Sequence, residues 1–413
     1  MGHTLDIAPY TGWVYPNETI FTWSVLIAVY PYLTGLVAGA FTVSSLYQVF
    51  GFQRLKPVAH LALLTSLCFM IFVPTPLLLH LGHPERAMNA TLTPHWSSAM
   101  AMFGYFASFY VVLLILETWF AYRPYIVEQA RNRTGLLGKF YQALTLGSHD
   151  VSEHALRYDQ KWILWLAIIG IPAAHGLHGY VGFMYGSLKS REWWSSDLMP
   201  VIFLFSAIIS GVSLLVVLYV ASCKLRKVEI DAACVKGLAY TIWGFIMLAI
   251  VLELLAFANI VYKGREGVEM IMEYVTGPLL IPYFLLQFGI GLFVPFLWLS
   301  YMIWRGTGGR AMIFGVTVSA VLVLFSVFMM RWNVVIGGQE ISKTGKGLLW
   351  YQPSLWGKEG LIVAALLCIA PLVALLGLSR LFPPWVHGTV SSRVTKLVEQ
   401  EAVKQHLLGT SQA

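Results

Sequence analysis

Residues 198–222 read LMPVIFLFSAIISGVSLLVVLYVAS, without one Asp, Glu, Lys or Arg. An α-helix crosses the hydrocarbon core of a bilayer with about 20 apolar residues. A barrel strand would alternate polar and apolar residues instead, so this run reads as a transmembrane helix. Comparable runs flank it on both sides, at 20–50, 57–80, 96–120, 161–186, 236–262, 277–304, 310–336 and 357–380. Together they predict an all-α polytopic membrane protein of about nine transmembrane helices. Trp and Tyr gather at the ends of the runs, as at Trp119/Tyr122 and Trp193/Trp194, where such rings favour the headgroup level.

The whole chain agrees with its most apolar stretch. Of 413 residues, 58% are hydrophobic and 11% charged, against roughly 25% charged in a soluble domain. That excludes a soluble enzyme, a disordered chain and a nucleic-acid binder as first readings. With each Lys and Arg assigned to the nearer end of its span, 18 of the 27 fall on one side. Basic residues favour the cytoplasm, so the N-terminus is expected on the periplasmic side of a bacterial inner membrane and the C-terminus in the cytoplasm. The start, Met1 to Asp6, lacks the basic n-region of a cleaved signal peptide.

A weak internal repeat subdivides the chain. The small residues Thr34, Gly35, Ala38 and Gly39 of the first span recur as Ser206, Ala207, Ser210 and Gly211 of the fifth. After the next span, Gly82 to Arg86 has a counterpart in Gly264-Arg265-Glu266. This suggests a periplasmic segment 1–19, a four-helix bundle over 20–186, a second over 198–336, an extra helix at 357–380 and a cytoplasmic amphipathic tail over 381–413. Small residues that permit close helix packing would leave a similar mark. Residues 136–157 and 389–408 mix charged and apolar residues at helical spacing and are expected at the interface.

Ionisable groups inside membrane spans are costly and therefore default to functional candidates. Here they are His60, His80, Glu117, His175, His178, Glu253 and Arg331, accompanied by Gln287 and Asn259. His175 and His178 share one helix face. The predicted orientation gathers most of these groups in the outer half, beneath the loop His80-Leu81-Gly82-His83-Pro84-Glu85-Arg86, with His60 and Glu117 on the inner side. A quinone headgroup needs hydrogen-bond partners and a proton source, and histidines supply both near neutral pH. His80, His83, Glu85, Arg86, His175 and His178, with Thr34 and Tyr105, are the candidate quinone-binding residues. His60, Glu117, Glu253 and Arg331 are the proton-pathway candidates. The cysteines Cys68, Cys223, Cys234 and Cys368 form no C-x-x-C pair, so neither an iron–sulfur cluster nor covalent haem is expected in this chain, and no metal site is read. A haem-bearing cytochrome b-type subunit and a proton-coupled secondary transporter stay open as alternatives.

Four stretches carry a family resemblance: YLTGLVAGAF at 32–41, LHLGHPER at 79–86, GIPAAH at 170–175 and RWNVVIGGQ at 331–339. Jointly they resemble the NrfD-like family, the quinone-interacting membrane subunits of polysulfide reductase and related respiratory complexes. His80 stands where that family usually has Asp, and His83 where it often has Arg. The extra ninth span resembles the longer branch, which includes membrane subunits of menaquinone reductase complexes. The resemblance implies a haem-free, cluster-free subunit of an oxidoreductase complex in anaerobic respiration. It implies menaquinone near the periplasmic face of the first bundle and electron transport to or from a periplasmic iron–sulfur subunit. Further partners would be a molybdopterin-type or multihaem cytochrome subunit and the lipid bilayer itself, with proton translocation or proton uptake from the cytoplasm.

Overall fold

The computed structural model describes residues 21–263, 268–343 and 347–385. The expected segments 1–19 and 389–408 and the counterpart Gly264-Arg265-Glu266 lie outside them. Among the described residues, nine helices are long and apolar enough to cross a membrane. The first is α1 (Val25–Gln48). The second bends at Pro74 and Pro76 into α2 (Lys56–Phe72) and α3 (Pro74–His80). A short α4 (Asn89–Leu92) then leads to α5 (Ala99–Asn132). A short α6 (Gly135–Leu144) precedes α7 (Glu153–Gly186), α8 (Met199–Leu225) and α9 (Ala232–Lys263). The seventh span follows a short α10 (Val268–Thr276) and starts as a π-helix, Leu280–Phe293, continuing as α11 (Val294–Arg305). Then come α12 (Gly309–Val335), one turn of α13 (Gly337–Glu340) and α14 (Leu361–Leu381).

Local chemistry explains several boundaries. Pro200 opens α8 at a position where its missing N–H costs nothing. Ser152 caps α7 by accepting from the Ala155 amide at 3.4 Å. Gly306 closes α11 at φ 60°, a left-handed cap that glycine adopts freely. The expected third and fourth spans, 96–120 and 161–186, prove longer, because an apolar window marks only the part inside hydrocarbon. Helix α5 runs on to Asn132, and α7 starts at Glu153. Their extensions are tied by the buried pair Arg123–Asp159, at 2.6 Å. Arg123 also holds the intervening turn through Ser148 Oγ at 3.1 Å and the Asp150 carbonyl at 2.7 Å. The stretch 136–157, expected as one interfacial segment, is therefore split into α6, a turn and the first turn of α7.

Two helices form the centre. The apolar window of α1 is 89% buried and that of α8 is 72%, against 22% for α9 and for α14. Helix α1 packs on α2 and α7, α8 packs on α9 and α12, and α1 and α8 cross each other. At the crossing a Cβ on Gly39 would stand 2.8 Å from the Gly211 Cα. The repeated small residues thus face one another across the molecular centre. Helix α14 lies outside α2. We call the end where α1 begins the proximal face and the other the distal face.

Candidate functional site

Arg331, the largest fully buried side chain, sits at the proximal end of α12, where α1, α7, α8 and α12 meet. Its Nη2 donates to Ser206 Oγ of α8 at 2.6 Å and to His178 Nε2 of α7 at 3.0 Å. Its guanidinium carbon stands 3.9 Å from the Phe203 ring centroid, a desolvated cation–π contact. An arginine donates only, so His178 Nε2 accepts and the ring's proton resides on Nδ1. That Nδ1 and Arg331 Nε are buried with no hydrogen-bond partner among the described residues. Helix α1 makes room for the imidazole: a Cβ on Gly35 would stand 3.3 Å from His178 Cε1.

Two residues further along α12, Asn333 donates to Gln287 Oε1 at 2.8 Å and to the Pro282 carbonyl at 3.1 Å. Gln287 in turn donates to Glu253 of α9. The π-helix puts Gln287 there, and Ser326 of α12 holds its carbonyl at 2.9 Å. A side chain on Gly291 would collide with Ser326, so glycine is what lets the π-helix approach. A cleft opens beside this chain of polar groups, lined by Trp193, Ser196, Phe257, Tyr283 and Met330 together with Glu253, Gln287 and Asn333. Aromatic walls with a few convergent polar atoms suit a flat ring bearing carbonyls.

The loops at the proximal end hold the cluster in place. Trp193 and Trp194 donate their indole N–H groups to the carbonyls of Asn333 and Val334. Arg191 donates to the carbonyls of Gln339 at 3.3 Å and Ile341 at 3.0 Å. Gln339 accepts from the Trp23 amide at 2.9 Å and donates to the Trp23 carbonyl at 3.2 Å. Outside the spans, Tyr274 donates to Glu340, and burial, then the nearby carboxylate, hold its phenol well above the usual range. It therefore remains a neutral donor.

The candidate residues fall into four places. His178, Arg331 and Glu253 belong to the central cluster. His175 faces α1, with Nε2 3.1 Å from Thr42 Oγ1 and Nδ1 donating to the Ile171 carbonyl at 2.7 Å, while the Thr34 hydroxyl donates within its own helix to Tyr30 at 2.9 Å. A third set lies at the proximal face. His80 pairs with Glu359 at 3.1 Å, beside the Lys358 contact to the Leu81 carbonyl at 3.2 Å. These contacts tie the loop to the segment before α14. His83 pairs with Glu85 at 2.9 Å in an exposed loop that also exposes Arg86. Tyr105 donates to the Thr91 carbonyl at 2.8 Å and stacks on Trp96.

The fourth set lies along α5. Glu117 is fully buried, and neither carboxyl oxygen has a hydrogen-bond partner among the described residues. The Tyr110 and Tyr122 hydroxyls on the same helix share that condition. His60 stands against Tyr122, ring centroids 5.7 Å apart. Because α5 extends twelve residues past 120, Glu117 is at mid-helix rather than near its distal end.

Sequence reasoning did not assign roles to Ser206, Asn333, Gln287 and Tyr283. Three of them are uncharged polar residues in apolar spans, a weak signal beside a buried charge. Tyr283 looks like any interfacial aromatic residue.

A family model described as "Polysulphide reductase, NrfD" matches residues 14–342. The C subunit of selenate reductase from Mesobacillus selenatarsenatis is 28% identical over 373 residues, covering 86% of this chain and 85% of that protein. Protein NrfD of Escherichia coli is 26% identical over 341 residues, covering 77% and 95%. The Hdr-like menaquinol oxidoreductase integral membrane subunit of Archaeoglobus fulgidus is 24% identical over 225 residues, covering 54% and 48%.

Proposed function

The chain belongs to the polysulphide reductase NrfD family of membrane subunits, and from that premise we propose that it binds menaquinone within a respiratory reductase complex. It exchanges electrons between the quinone and an iron–sulfur subunit on the periplasmic side, with a molybdopterin-type or multihaem subunit beyond. The observation that carries this reading is the polar chain His178–Arg331 and Asn333–Gln287–Glu253, buried in the proximal half beside an aromatic-lined cleft. The name of the Archaeoglobus relative includes menaquinol, which supports the choice of quinone.

The residues lining the cleft carry the polar groups that a quinone headgroup calls for. Tyr283 and Ser196 bring hydroxyls to the cleft, and Asn333 Oδ1 is buried without a hydrogen-bond partner among the described residues. A bound quinone supplies the redox chemistry, taking up electrons and protons together on reduction. Glu253 holds or releases a proton at its carboxyl group while Gln287 fixes that group's position. Arg331 does not line the cleft but adds a buried positive charge next to Met330, which does, and a preorganised charge acts strongly in a dry site. His178 and Ser206 position Arg331. The exposed loop with Met88 at 60%, Leu92 at 72% and Trp96 at 70% exposure offers the iron–sulfur partner an apolar platform, and His83, Glu85 and Arg86 surround it with charge. His60, Tyr122, Glu117 and Tyr110 form the proton route from the cytoplasmic side.

The test uses the assembled complex. Glu253→Gln and Arg331→Lys are expected to lower menaquinol turnover about a hundredfold while the partner subunits still co-purify. Ordinary turnover in both variants would refute the site.

A further inference from the structure

A groove at the distal face belongs to none of this machinery. It runs between the end of α8 and the start of α12. Its walls are Ile230, Phe314, Val318 and Leu322, and its mouth carries Lys224 and Arg310. On α12 the lining residues, Arg310, Ile313, Phe314, Thr317, Val318, Val321 and Leu322, are spaced three and four apart, so they form one stripe. Phe314 is 70% exposed and Val318 41%. None of the residues lining the groove is acidic. Neither the Lys224 ammonium nor the Arg310 guanidinium makes a hydrogen bond or ion pair among the described residues.

The dimensions and charges specify an occupant. From Arg310 to Leu322 the stripe rises about 18 Å along the helix axis. One leaflet's hydrocarbon is about 15 Å deep. The groove therefore has cations at the headgroup level and apolar wall through one leaflet. A quinone tail would need the wall without the cations, and free phosphate the cations without the wall. We infer that this groove holds an anionic glycerophospholipid of the bilayer. Lys224 and Arg310 clamp its phosphate, and an acyl chain lies along α12 against Phe314, Val318 and Leu322. Basic pockets between transmembrane helices recognise lipid headgroups in this manner. The bound lipid bridges α8 and α12, the two helices that supply Ser206 and Arg331.

The experiment titrates the full chain, delipidated in mild detergent, with phosphatidylglycerol, phosphatidylcholine or inorganic phosphate, and counts bound lipid by native mass spectrometry. The unaltered chain is expected to retain phosphatidylglycerol in preference to phosphatidylcholine, and inorganic phosphate at millimolar concentration is expected not to displace it. K224Q/R310Q is expected to weaken retention about tenfold or more. V318W, which fills the groove and spares the cations, is expected to weaken it comparably. A control that removes two exposed distal charges elsewhere, K139Q/K161Q, should retain lipid as before. Equal retention by K224Q/R310Q, or no preference between the two lipids, would overturn the proposal. Displacement by inorganic phosphate, or loss in K224Q/R310Q but not in V318W, would replace it with a simple anion site.

Discussion

The environment of Arg331 rests on a neighbour with no side chain. His178 lies against Gly35, and a bulkier residue there would press directly on the imidazole. Gly35→Val is therefore expected to displace His178 from Arg331 and reduce quinone turnover in the assembled complex at least tenfold. Gly176, on the same helix as His178, would meet nothing within 4 Å of a new Cβ. Gly176→Ala should leave turnover unchanged and raise the melting temperature slightly, since alanine favours the helix by about 1 kcal/mol. Equal turnover in the two variants would show that the His178 position is immaterial. The sequence already marks Arg331 and His178 as ionisable groups in apolar surroundings. It does not distinguish a snorkelling Arg331 from one pointing to the centre, because depth is legible from span limits whereas helix rotation is not.

Among the elements, the α1–α8 crossing and the π-helix are the most informative. Gly39 and Gly211 meet backbone to backbone, a contact that small residues allow in a membrane, where close packing rather than water drives helix association. Gly211→Val is expected to destabilise the detergent-solubilised protein by about 1–3 kcal/mol, read as a lower melting temperature. Unchanged melting would mean that the crossing has room for a side chain. The sequence repeat points to these positions for another reason, as equivalents in two units, and does not reveal that they touch. The π-helix is not legible in the sequence. Pro282, Gly289 and Gly291 mark only an irregular stretch, while the turn that aims Gln287 at Glu253 and Asn333 depends on Ser326 from α12. The second span's bend at Pro74 and Pro76 is written in the sequence, since proline removes a donor and clashes with the preceding turn.

At the scale of the molecule, the proximal face gathers the tryptophan loops, the apolar platform and the candidate cleft, and the distal face gathers the basic groove. The charge asymmetry predicts that the proximal face is periplasmic. Three of the native cysteines are buried and Cys368 is half-buried, so single exposed cysteines report sidedness cleanly. With intact cells and an impermeant maleimide, Gln352→Cys at the proximal face should be labelled and Glu229→Cys at the distal face should not. The reverse pattern would invert the topology and move the proposed iron–sulfur partner to the other side.

The sequence by itself determined the number and order of spans, because apolar length is a local property that a bilayer reads directly. It also narrowed the candidate residues, because a charge inside hydrocarbon is costly wherever its helix points. Tertiary structure alone decided which candidates lie together. Rotation and packing bring Arg331 to His178 and Ser206 from 125 or more residues away, turn Gln287 toward Glu253, and set His80 against Glu359 beside α14. Those pairings depend on where helix faces meet, and the meeting of faces is fixed by backbone approach at Gly35, Gly39, Gly211 and Gly291.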